Sequence, residues 1–471
     1  MDTPAVSLTV AGQPVRSSAP SDRQLRRGGA LFGFHQFLGM GLGFLGSMLL
    51  VRVARPGEVA SYLLVLQAIS AVGILLQLGL GPAALRFAPM SRGEGGEAAT
   101  AVLRRRLFVL QVAIWALVVP PFAVAWPWIA RRLEAPELAP ASLFVVGAAV
   151  LVSFGNLAHH YLRAFRMYSV AAPLSHPVPR GLIFGGYIAL WALGARDVPW
   201  ELLISIFVLS QLVTAIGFAF ALKATSAAEA SEARAASLPP DIRVILGATT
   251  ALGLRSAALV VLLSSDLWIL SWARSHEEVA IYGVASRVLQ VIAAIPAMAN
   301  FIVPQEFAVL YADGRKEEME RLARTASTSV GMLSCLAMLS LLVLGRPLIH
   351  FAFGDTYLPS WSILMILAVG SFWDTACGSA GYVLQMSGHH YQLLGLTVAA
   401  AVLNIGLSTL AAPVWGGYGV ALATTVSLIA INMGMVWSAR RLVGVRTFAY
   451  LDPARWRQVF RMLTGRGGEQ R

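Results

Sequence analysis

The sequence predicts an all-α polytopic membrane protein of about twelve transmembrane helices, arranged as two six-helix bundles related by a pseudo-two-fold along the membrane normal. Three observations carry this: an apolar excess, a set of apolar runs of membrane-spanning length, and a pattern that recurs at the same place in both halves. Of the 471 residues, 57% are hydrophobic and 13% charged, with a mean hydropathy of +0.68. Soluble domains carry about 25% charged residues, so a soluble globular chain is excluded, and a disordered one with it.

A bilayer core about 30 Å thick takes about 20 apolar helical residues per crossing. Such runs fall at about 30–51, 59–81, 107–129, 141–162, 170–193, 202–222, 244–270, 279–303, 327–349, 361–385, 392–412 and 418–439. They must be helices, because lone strands leave backbone groups unpaired in hydrocarbon and barrel strands are shorter. The polar first 29 residues hold Arg16, Arg23, Arg26 and Arg27 and meet the first span with no small-residue cleavage site, so they read as a tail before an anchor. Pro173, Pro177 and Pro179 interrupt the fifth run. The connection 223–243, rich in alanine, serine and glutamate, divides the spans six and six. The expected organisation is a tail (1–29), a first bundle (30–222), a linker (223–243), a second bundle (244–440) and a basic tail (441–471).

A net charge of +12 suggests nucleic acid in a soluble protein, so its location decides its meaning. Of the 36 basic residues, 26 fall in loops and tails on the side of the termini and 7 on the other side. That bias places both termini in the cytoplasm, and no nucleic-acid partner is expected. Arg180, Arg255 and Arg287 remain, inside or beside spans. Cys335 and Cys377 sit in apolar runs, and the adjacent pairs His159–His160 and His389–His390 point about 100° apart on a helix, so no metal site is expected.

Glu58-Val59-Ala60-Ser61-Tyr62 precedes the second span and Glu278-Val279-Ala280-Ile281-Tyr282 the eighth. The same topological position in both halves makes this a parallel repeat, as in many secondary transporters. The stretch from Leu50-Val51-Arg52-Val53-Ala54-Arg55-Pro56-Gly57 through Tyr62, with Leu78-Gly79-Leu80-Gly81 and Arg86-Phe87, resembles the opening of Wzx-type polysaccharide or O-antigen flippases, relatives of the MATE exporters and the lipid II flippase. Ser265-Asp266, Phe353-Gly354-Asp355-Thr356-Tyr357, Gly381-Tyr382-Val383-Leu384 and Gly416-Gly417-Tyr418-Gly419 extend the likeness over about 30–440. The resemblance implies a MATE-like pair of bundles around a central cavity in a bacterial inner membrane. It also implies a cargo, a polyprenyl-pyrophosphate-linked oligosaccharide passing from the cytoplasmic to the outer leaflet for O-antigen, capsule or exopolysaccharide synthesis.

Such a cargo asks for cations at bilayer depth, where ionisable groups point to function. Arg255 lies about eleven residues, roughly 17 Å, into the seventh span, and Arg287 about eight, roughly 12 Å, into the eighth, so the two are expected at similar depth. Forked guanidinium contacts suit a pyrophosphate, and Gln290, one turn beyond Arg287, would bond sugar hydroxyls. The competing reading is an internal ion pair, with Asp266 meeting Arg287 across the ends of their spans. Arg180 is placed either in the cavity or at the interface. Arg52 and Arg86 flank spans, as topology anchors or as cations at the cavity mouth. Asp374 and Glu306 would bind a coupling proton or sodium ion, or else cap helices and pair with arginines; no other cofactor is expected. Pro296 and Pro304 favour a bent, gate-like eighth span. Asp452-Pro453 opens an amphipathic helix with Trp456, Val459, Phe460 and Leu463 on one face, suited to an anionic leaflet or to docking a glycosyltransferase or polymerase of the same pathway.

The chain is expected to lack enzymatic activity. A MATE-like exporter of cationic drugs would need deep carboxylates in the first half, which has only Glu201 at a span edge. A membrane glycosyltransferase or polymerase would need larger, acid-bearing external loops.

Overall fold

In the computed structural model, the described residues are 22–132, 136–165, 167–230, 242–293, 306–307, 310–311, 313–450, 452 and 455–457. They form α1 (Asp22–Val53), α2 (Pro56–Leu75), α3 (Leu80–Arg132), α4 (Ser142–Ala164), α5 (Tyr168–Ser175), α6 (Pro177–Ala192) and α7 (Trp200–Ala230) in the first half. The second half contains α8 (Ile242–Ala273), α9 (His276–Ile292), α10 (Lys316–Phe353), α11 (Ser360–Cys377), α12 (Ala380–Met386) and α13 (His390–Ser438). No strand occurs among the described residues. Nine segments there are long and apolar enough to cross a membrane. The difference from twelve has physical causes. Pro177 lacks an N–H and forces His176 out of helical geometry (φ −121°, ψ −73°), so the fifth span is split into α5 and α6. The described part of the eighth span, α9, has 17 residues. The eleventh and twelfth spans are the two arms of α13, which turns at Gly416 (φ 55°, ψ −138°). Pro296 and Pro304 lie outside the described residues, as do 231–241 of the predicted linker and most of the predicted tail helix.

The two halves pack alike. α1 lies on α6, as α8 lies on α13; α3 and α7 flank α4, as α10 and α13 flank α11. α2 crosses to α8 and α9 at the centre. Large apolar side chains such as Leu117, Val124, Val343 and Leu410 are more than two-thirds exposed, as a surface solvated by lipid tails requires. The chain is a multi-pass membrane protein, and in a twelve-span arrangement both ends of the helical body lie on one face, the terminal face.

The repeated motif closes helix ends. Glu58, in the first turn of α2, accepts the N–H of Trp200, where α7 begins (2.8 Å). Its counterpart Glu278, in the first turn of α9, accepts the N–H of Gly417, where the second arm of α13 begins (3.3 Å). Each helix start thus gives a donor without an intrahelical partner to a carboxylate from a neighbouring helix. The arginines just upstream act on the same connections. Arg55 forks onto Asp197 (2.6 and 2.5 Å), and Arg274 donates to the carbonyls of Ala412, Pro413 and Val414, freed at the turn in α13. The bond from Arg55 holds Asp197 below the ordinary carboxylate range. This exposed pair is therefore complete at neutral pH and is lost as pH falls through that lowered value.

The opposite face is closed between the halves. Phe44 meets Phe353 edge to face (centroids 5.8 Å), Trp126 meets Trp268 (6.2 Å), and Arg52 donates to the Phe351 carbonyl (3.2 Å). After α13 the chain does not simply leave. Residues 445–450 run as a strap across α10 and α11, joining Thr447 Oγ1 to the Cys377 carbonyl (3.0 Å), Ala449 N–H to Ala376 (3.0 Å) and Tyr450 N–H to Thr328 (2.9 Å). Trp456 N–H bonds the carbonyl of Asp452 (3.2 Å) and its indole bonds that of Tyr450.

Where α2 meets α8, Leu78 and Gly79 turn through positive φ (39° and 77°), and the Leu78 backbone presses on Gly253, where a β-carbon would lie 2.7 Å from its carbonyl carbon. Gly253→Ala is expected to cost about 1–3 kcal/mol through overpacking, read as a lowered Tm in detergent. Gly147→Ala, in open space on α4, is expected to be neutral or stabilising by up to about 1 kcal/mol.

Candidate functional site

A cavity of about 280 Å³ opens within the first half and reaches the central seam. α1 contributes Gly43 and Ser47, α2 Tyr62 and Ser70, α6 Arg180 and Tyr187, α7 Gln211, and α9 of the other half Arg287. The local sequence explains the placement of Arg180. The Pro177 break starts a new helix three residues earlier, which aims Arg180 inward, and Gly43 leaves room, since a β-carbon there would sit 3.4 Å from Arg180 Cδ. Nη1 of Arg180 is buried with no hydrogen-bond partner. No carboxylate lines the cavity among the described residues, and neither Arg180 nor Arg287 enters an ion pair there. Two fixed positive charges thus face one space with hydroxyl and amide groups around them, a setting that draws anions strongly at low local dielectric.

Arg255 does not share this cavity. It lines a second one, of about 260 Å³, in the second half with Asp374, Asn432, Tyr382, Ser327 and Thr375. Arg255 and Arg287, expected at similar depth, thus line different cavities: depth along two helices says nothing about which face each presents, and Arg287 shares its cavity with Arg180. The Asp266–Arg287 pair does not form among the described residues. Asp266 is buried and accepts bonds from Tyr282 Oη (2.6 Å) and Thr424 Oγ1 (2.8 Å); Asn404 donates to the same threonine (3.1 Å), and Asp266 Oδ1 has no hydrogen-bond partner. Gln290 is exposed and lines neither cavity. Glu306 is exposed, Arg52 lies at the closed opposite face, and the Arg86 side chain lies outside the described residues.

The sequence reading missed Tyr187, Gln211, Asn432 and Tyr382. Gln211 and Asn432 carried a usable signal, as amides inside otherwise apolar spans. Tyr62 was visible as part of the repeat, though not as a cavity wall.

Fold and site together define a transmembrane protein of MATE-like architecture with a cationic intramembrane cavity. The chain belongs to the polysaccharide biosynthesis protein family, which matches residues 25–305. No curated protein matches it in sequence. Its structure is similar to a multidrug resistance MATE transporter in the inward-facing conformation, with 17% identity, a TM-score of 0.68 and coverage of 86% of this chain and 95% of that one. It is also similar to the lipid II flippase MurJ in an inward closed conformation (13% identity, TM-score 0.66, 87% of each chain). A third similar structure is a Pyrococcus furiosus transporter described by the reverse polarity of its binding pocket (17% identity, TM-score 0.65, 89% and 96%).

Inorganic pyrophosphate is expected to bind the purified protein in detergent, with Arg180→Ala and Arg287→Ala each weakening it about tenfold or more, the worth of a charge-assisted hydrogen bond. Gln290→Ala should leave the affinity unchanged. Isothermal titration at two salt concentrations reads both effects.

Proposed function

We propose that the protein is a flippase that carries a polyprenyl-pyrophosphate-linked oligosaccharide from the cytoplasmic to the outer leaflet of a bacterial inner membrane by alternating access. Both termini lie in the cytoplasm. The observation that carries this reading is the cavity shared by Arg180 and Arg287, free of carboxylates among the described residues. A diphosphate crossing the bilayer needs fixed positive charge in place of water, and guanidinium groups supply it with directional donors. A cationic drug would be repelled by the same charge, which sets the multidrug-exporter reading second. Membership of a polysaccharide biosynthesis family supports a glycan on the anionic lipid. No covalent step is required of the protein, only binding and a change of access. Closure of the opposite face by Phe44, Phe353, Trp126 and Trp268 fits the state that loads from the cytoplasm. The basic tail, with Arg440, Arg441 and Arg446 leading into it, would rest on the anionic leaflet or dock a glycosyltransferase or polymerase.

Deletion of the gene is expected to leave the lipid-linked glycan on the cytoplasmic leaflet. Wild type should restore its export, while Arg180→Ala and Arg287→Ala at equal abundance restore less than a tenth. Normal glycan export in the deletion strain, together with new sensitivity to cationic dyes, would sink the flippase and favour the drug exporter.

Asp266, with an unpartnered oxygen amid Thr424 and Asn404, is the proposed seat of a coupling proton or sodium ion. Asp266→Asn keeps the shape and gives up the charge. It is expected to hold Tm near wild type while abolishing the dependence of export on the ion gradient, measured in proteoliposomes.

A further inference from the structure

The second cavity has a different chemistry from the first and is not needed to hold the diphosphate. It sets a cation, Arg255, and an anion, Asp374, in one chamber with the amide of Asn432, the phenol of Tyr382 and the hydroxyls of Ser327 and Thr375. The two charges are not spent on each other. No ion pair joins Arg255 and Asp374 within 4.0 Å. Arg255 makes one long bond, Nη1 to Gln385 Oε1 at 3.3 Å, and its Nε is buried with no hydrogen-bond partner. Asp374 opens to the chamber. Asn432 gives one N–H to the Leu428 carbonyl (2.9 Å), faces the Asp374 carboxylate with its amide, and keeps its own amide oxygen as an acceptor.

The walls are fixed. Gly378 (φ +71°) lies against Ser327, whose hydroxyl reaches the carbonyls of Ala323 (2.7 Å) and Thr447 (2.8 Å), so the strap at 445–450 forms part of the frame. Donors and acceptors set side by side on a rigid wall, with Arg255 and Asp374 unpaired, suit a ligand whose groups both give and accept hydrogen bonds. A phosphate accepts only, and Asp374 would repel it. Sugar hydroxyls do both, and a ring face stacks on a phenol. At about 260 Å³ the chamber falls just below the roughly 300–1,000 Å³ of drug-sized sites, the scale of one monosaccharide unit.

We propose that this chamber is a carbohydrate subsite, separate from the diphosphate site, in which Arg255, Asp374 and Asn432 read the hydroxyls of one sugar of the cargo. The proposal rests on the flippase reading above and adds to it a division of labour: the first half holds the charge and the second inspects the glycan.

The test uses full-length protein in detergent and two probes: the intact lipid-linked oligosaccharide extracted from the deletion strain, and polyprenyl pyrophosphate without sugar. Affinities are read from tryptophan fluorescence, and Tm confirms folding of each variant. Asp374→Asn and Asn432→Ala are expected to weaken the intact lipid about tenfold and leave the sugar-free lipid unchanged. Arg180→Ala should weaken both. Should Asp374→Asn fail to fold, Tyr382→Phe and Asn432→Ala carry the same comparison. Equal affinity of wild type for the two lipids, or an equal loss for both lipids in the chamber variants, overturns the subsite while leaving the flippase standing. Unchanged binding of the intact lipid by Asp374→Asn, with export lost, overturns it too and makes Asp374 a coupling acid. Binding of neither lipid by wild type overturns the flippase and the subsite together.

Discussion

A helix that ends or breaks leaves backbone groups without intrahelical partners, and among the described residues side chains from distant segments answer several of them. At the turn in α13, Arg274 takes three carbonyls and Glu278 takes the N–H of Gly417. Glu58 does the same for the start of α7. These breaks shape the cavities. Without the one at His176, Arg180 would follow a different helical phase, and the first cavity would lose one of its two charges.

Much of the fold was legible because the sequence periodicity and hydrophobic lengths answer directly to bilayer thickness. The apolar runs correspond to helices among the described residues, and the packing of α1 on α6 recurs as α8 on α13. What one dimension could not supply was rotation about each helix. A depth estimate for Arg255 and Arg287 fixes only height, and the two residues face different cavities. Arg180 was weighed against an interfacial position because three prolines obscured where its helix began. The repeat was seen as a mark of duplication, whereas its physical task, capping the sixth and twelfth spans, depends on partners about 140 residues away. The strap at 445–450 left no signal, for its bonds are made largely by the backbone.

The two cavities differ in the one property that most affects an ionic cargo, the sign of the charge they present. The first is cationic without compensation; the second is balanced and rich in groups that both donate and accept. For the proposed cargo, such a separation would let one half attract the part common to all lipid-linked sugars while the other is free to vary with the glycan. It also places the balanced chamber on the frame tied to the tail, so whatever holds residues 455–457 is joined through Tyr450, Ala449 and Thr447 to its walls.

The arginines on the face opposite the termini have a meaning that the loop count hides. Of the seven there, Arg52, Arg55 and Arg274 are engaged by a carbonyl, a carboxylate and a freed helix end. With the termini in the cytoplasm, as proposed, crossing the membrane during insertion is costly for each of them, and each recovers part of that cost only after distant segments have arrived: Phe351 for Arg52, Asp197 for Arg55, Ala412 for Arg274. The orientation signal is therefore a matter of timing as well as number. Early in synthesis these charges oppose translocation, and late in folding the same charges secure it.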